Sequence, residues 1–95
     1  MPAMHFHLRW PDGSAARCYS PSLVIKDYFQ PGSRVPLSEF LPRIREAMSI
    51  ASERVRAKYG FACSMALDQL AQIEAAAQPF ATEPGAAVEV THFEE

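Results

Sequence analysis

Cysteine and glycine are scarce in this chain of 95 residues, which carries two of the first and four of the second. Two cysteines without a disulfide-like framework argue against a stapled secreted scaffold and fit a reducing cytosol. No apolar run approaches the roughly 20 residues that cross a bilayer, so no membrane partner is expected. The start, MPAMHFHLRW, lacks a basic segment followed by an apolar core, so no signal peptide is expected and the protein is expected in the cytoplasm. No glycine-rich phosphate loop, Gly-X-Ser-X-Gly elbow or paired-carboxylate site is present, which lowers the odds of an enzyme and implies no cofactor. Repeats are missing too, and no low-complexity tract exceeds the three alanines at 75–77.

The second half also lacks cations. Residues 1–58 hold all nine Lys and Arg against five acids, a balance of +4, whereas residues 59–95 hold six acids and no Lys or Arg, a balance of -6. The net -2 argues against a general nucleic-acid binder, and the split either directs a partner or lets the two halves attract each other.

What is present suffices for one domain over residues 1–95. At 48% hydrophobic and 21% charged, the chain can bury a modest core. So short a chain has limited interior, which leaves room for a homodimer that shares core surface.

The organising stretch is a long amphipathic helix over residues 38–59. Leu37, Leu41, Ile44, Met48, Ala51 and Val55 recur at steps of three and four and fall on one face. Ser38 is placed to cap the first turn, Pro42 falls in or just after it, and Gly60 supplies the left-handed stop. Arg54, Arg56 and Lys58 lie in the last turns, where cations offset the negative end of the helix dipole.

Before it, residues 3–20 read as a β-hairpin. Met4, Phe6, Leu8 and Trp10 alternate with His5, His7 and Arg9, Pro11-Asp12-Gly13 makes the turn, and residues 14–19 return. With Trp10 opposite Ser14, Ala16 and Cys18 share the inner face with Leu8 and Phe6. Residues 21–30 read as a short helix, capped by Ser20 and led by Pro21, or as a strand through Leu23, Val24 and Ile25. Residues 30–34 read as a loop. After Gly60, residues 62–78 read as a second helix with Met65, Leu67, Leu70 and Ile73 as its apolar surface, stopped at Gln78-Pro79. A linker at 81–86 precedes a possible third strand at 87–93. The expected fold is α+β: a two- or three-stranded antiparallel sheet packed on a helical hairpin.

Four groups of residues carry candidate chemistry. His5 and His7 share a strand face, and His92 can sit on a neighbouring strand, so the three are weak metal candidates. A fourth ligand is missing, and exposed sheet histidines are the plainer reading. Cys63, in the first turn of the second helix, is where amide dipoles can lower a thiol's pKa, yet no Cys-His-Asx or Cys-X-X-Cys pattern surrounds it. It is the one weak catalytic candidate, with packing as a small apolar group the plainer reading and Cys18 more clearly core. Arg45, Ser49, Ser52 and Arg56 line one flank of the long helix, where two guanidiniums bracketing two hydroxyls can hold a carboxylate or phosphate. A solvated flank paired to Glu46 and Glu53 is the alternative. Asp27 and Tyr28, near the helix entry, are placed to close such a pocket.

The blocks FHLRWPDG, CYSPSLVIKDYF, PLSEFL and IASERVRAKYGFACS together resemble the nitrogen-starvation-response family of small bacterial proteins, over roughly residues 4–74. The resemblance implies a cytosolic accessory protein of nitrile or cyanide nitrogen assimilation, from a gene cluster centred on a nitrilase. Its other neighbours there are a radical-SAM protein, an acetyltransferase, a purine-synthesis-like enzyme and a flavoprotein. It brings no established catalytic residues. The leading expectation is therefore a non-catalytic protein that binds a partner enzyme or a small anionic metabolite. The alternative is a small enzyme or thiol carrier using Cys63.

Overall fold

A computed structural model describes residues 3–61 and 64–95. The hairpin forms as its turn chemistry dictates. Strands β1 (Met4–Arg9) and β2 (Ala15–Ser20) pair antiparallel, with Leu8 opposite Ala16 and Phe6 opposite Cys18. Gly13 takes a φ of +89°, and its N–H donates to the Trp10 carbonyl at 2.9 Å. Asp12 braces the turn by accepting from both the Ser14 amide and hydroxyl, which holds its carboxyl below the usual range.

The helix after β2 is shorter and later than the sequence suggests. It is the single turn α1 (Ile25–Tyr28), and Ser20 belongs to the end of β2 rather than to a helix cap. The Ser20 hydroxyl instead donates to the Ser22 carbonyl at 2.7 Å and accepts from the Ser22 amide, which turns the chain towards α1. Residues 33–36, expected in or just past a loop, form a fourth strand, β3 (Ser33–Pro36). Short and ending in proline, it has the features of an edge strand, where a missing N–H is tolerated.

Helix α2 (Leu37–Tyr59) starts one residue before the expected position, with Pro36 as its N-cap and no side-chain cap bond, so Ser38 does not cap it. The Leu37 amide is satisfied by the Ala86 carbonyl at 2.9 Å. Gly60 ends the helix as expected, at φ +85°, with its N–H on the Arg56 carbonyl. Helix α3 (Ser64–Ala77) follows, then a 3-10 turn over Gln78–Phe80 and strand β4 (Ala87–Glu94). Strand β4 inserts between β1 and β3, giving a four-stranded antiparallel sheet in the order β2-β1-β4-β3. The α+β class holds, and the sheet has four strands rather than two or three. No helix among the described residues is long and apolar enough to cross a membrane.

One face of the sheet is dry. Met4, Phe6, Leu8, Cys18, Val88 and Val90 pack against the inner stripe of α2 and against Ala66, Ile73 and Ala77 of α3. Phe40, absent from the expected stripe, is fully buried at its centre, with ring centroids 6.1 Å from Trp10 and 5.4 Å from Phe29. In α3 the residues at 66, 73 and 77 set the inward phase, and the small Ala66 permits close approach to α2. Met65 and Leu67, on either side of it, are turned outward rather than buried as expected. Burial raises the Cys18 thiol to about 12, in keeping with a core side chain.

Phe40→Ala is expected to lower the unfolding free energy by about 3–5 kcal/mol, read from urea melts. Leu67→Ala, at the surface, should move it by less than about 0.5 kcal/mol.

Candidate functional site

Helix α2 distributes the candidate residues over two ends and two sides. The flank expected to hold an anion borders the groove between α2 and α3, with Ser52 buried there and Arg45, Ser49 and Arg56 exposed to solvent. Arg45 reaches Glu74 at 3.4 Å, Ser52 is buried, and Arg56 lies 3.5 Å from Glu53 on its own helix. Ser49 and Ser52 line a groove of about 340 Å³ between the helices, together with Met48, Ala66, Leu67 and Leu70. The two arginines are thus already matched to carboxylates, and hydrocarbon dominates the groove between them. Its structure is that of a helix–helix seam.

Asp27 and Tyr28 do not close over that flank. They line a different cleft, of about 360 Å³, at the opening turns of α2. Its cations are Lys26, Arg34 and Arg43, and its acids are Asp27 and Glu39. Lys26 is engaged by Glu95 at 2.9 Å, and Arg43 approaches Glu39 only to 3.9 Å. Burial and the hydrogen-bonded Glu46 carboxylate push the Tyr28 hydroxyl upward, in the direction that keeps it protonated. Sequence reasoning missed Arg34, Arg43 and Glu39, because strand β3, which turns the chain back to α2, was not recognised.

At the far end of α2 the surface becomes apolar. Tyr59 is 54% exposed, Phe61 68%, Met65 59% and Leu67 53%. Beside them, Arg54 donates to the Ser22 hydroxyl at 2.8 Å, and the Lys58 ammonium lies 5.6 Å from the Tyr59 ring centroid. The sequence does hold a signal for this patch: Tyr59 and Phe61 are large apolar residues flanking the glycine stop, where the helix ends. Cys63 lies outside the described residues.

The histidines sit on the open face of the sheet. A β-bulge at Thr91 brings His92 opposite His7, and their rings stack at 3.9 Å with 14° between planes. His7 Nε2 is 2.5 Å from Glu94, which also accepts from Arg17 at 2.7 Å, while His5 turns its ring towards Tyr19. Parallel stacking directs the two imidazoles side by side rather than towards one centre. Among the described residues no three of His, Cys, Asp or Glu converge as a metal site requires.

A family model described as nitrogen starvation-induced protein NitG matches residues 5–93, from the first strand through the last. No curated protein and no solved structure matches the chain.

The sheet-face ion pair has a testable pH signature. Hydrogen bonds from Arg17 first and His7 second hold the Glu94 carboxyl at about 2, below its ordinary 4.5. A folded-state value depressed in this way contributes stability above about 4.5 and loses it as pH falls towards about 2. Glu94→Gln is therefore expected to lower the urea midpoint at neutral pH, with the gap to wild type closing over that acid range. A gap that stayed constant would remove the Glu94 pairing as its source.

Proposed function

The chain belongs to the nitrogen starvation-induced protein NitG family, and from that premise we propose that it is an accessory protein that docks onto a partner enzyme during nitrogen limitation, with no catalysis of its own. The observation that carries this reading is the apolar tip of the helical hairpin. Four large side chains, two of them aromatic and one a methionine, are each more than half exposed there. Contiguous exposed apolar surface marks interaction sites, and aromatic residues and methionine are enriched at interface centres. Arg54, Arg56 and Lys58, in the last turns of α2, place positive charge beside it. Such a tip suits an apolar depression with acidic residues around it, because complementary charge speeds and orients docking.

On this reading the protein works in the cytoplasm. The nitrile or cyanide nitrogen setting implied by the family resemblance makes a nitrilase the first partner to test. The small-metabolite side of the expectation attaches to the cleft at the other end of α2, not to the Arg45–Arg56 flank.

The test is recovery of tagged protein from nitrogen-starved cells, with any recovered enzyme then purified and titrated against the chain. Stoichiometric binding of a nitrilase or a neighbouring cluster enzyme is expected. Phe61→Ser with Leu67→Ser should weaken it by at least about tenfold, or ~1.4 kcal/mol, while leaving the melting temperature in place. Turnover by the pure protein, abolished by a point change, would overturn the reading. So would an apolar tip that pairs only with a second copy of the chain in sedimentation experiments.

A further inference from the structure

The cleft at the opening turns of α2 carries an unused pair of opposite charges. Arg34 on β3 and Asp27 on α1 both line it, and among the described residues neither makes an ion pair or a side-chain hydrogen bond, with each other or with anything else. The second pair in the cleft is loose, with Arg43 and Glu39 at 3.9 Å, beyond hydrogen-bond reach. Lys26 is taken by Glu95. The charges left to meet a ligand are therefore two guanidiniums and two carboxylates, and they cancel.

That balance decides between ligand classes. A simple anion drawn by the arginines would meet Asp27 and Glu39, and a simple cation drawn by the acids would meet Arg34 and Arg43. A molecule bearing both charges satisfies all four. We propose that this cleft binds a small zwitterion of the α-amino acid type, its carboxylate received by Arg34 with Arg43 and its ammonium by Asp27 with Glu39. The guanidinium fork matches a carboxylate with two parallel N–H donors, which a lysine cannot do. The buried Phe29 and Val35 add hydrocarbon to the lining, against which an amino-acid side chain can rest. A volume of about 360 Å³ lies at the small end of ligand cavities, about 300–1,000 Å³.

The site is separate from the docking tip. Glu39 and Tyr59 are twenty positions apart along α2, about 30 Å at 1.5 Å per residue, in a molecule 41 Å along its longest axis. Binding at the cleft and docking at the tip therefore stand or fall independently.

The experiment is calorimetric titration of the full chain with the standard amino acids, beside acetate and methylammonium as single-charge probes. At least one amino acid is expected to bind saturably, with acetate and methylammonium each at least about tenfold weaker. Arg34→Gln and Asp27→Asn should each lower that affinity by at least about tenfold with the melting temperature unchanged, while Arg9→Gln on the open sheet face has no effect. Failure of every amino acid to bind overturns the proposal. So does acetate binding as tightly as the best amino acid, or an Arg34→Gln protein of undiminished affinity.

Discussion

Everything in this molecule hangs on the contact between the inner stripe of α2 and one face of a four-stranded sheet. Phe40 stands at its centre, touching Trp10 of the hairpin and Phe29 beside α1. Three segments distant in sequence are thereby held to one ring. A chain of 95 residues has little other interior, and the described residues form no second core to compensate if that contact loosens. The stripe also sets the rotation of α2 about its axis. Rotation in turn decides that Arg45 meets α3, that Arg54 meets Ser22, and that Glu39 and Arg43 face the cleft.

The elements readable from sequence were those whose signals are local. The hairpin register followed from strict alternation and a Pro-Asp-Gly turn, and the glycine stop of α2 from the need for a positive φ. What was not readable depended on partners distant in the chain. Strand β3 is four residues ending in proline, with no alternation of its own, and it exists because β4 offers it an edge. Ser38 was a sound cap by residue type, yet the Ala86 carbonyl settles the Leu37 amide from the far side of the sequence. In α3, seven alanine and leucine residues among fourteen blur the periodicity, so the inward phase was set by packing.

The same division explains the candidate sites. Arg45, Ser49, Ser52 and Arg56 do share a flank, as helical spacing requires, but spacing cannot say what lies opposite, and α3 with Glu74 does. Asp27 and Tyr28 do lie near the entry of α2, but on the side of Arg34 and Arg43. His7 and His92 are neighbours as supposed, because a bulge no sequence pattern announces has shifted the strand by one residue. The family resemblance, read over residues 4–74, extends in the family match through β4. That strand is the one that completes the sheet.

The bulge at Thr91 also governs how this protein can vary in length. Side chains alternate across a strand, so the extra residue reverses which face every later residue takes: Phe93 turns to the core and Glu94 to the open side. Loss or gain of one residue within 87–93 would reverse that assignment, placing a carboxylate under the helices and a phenyl ring in water. The turn at 81–86 carries no such parity. Insertions and deletions in related chains should therefore collect in that turn and avoid the last strand.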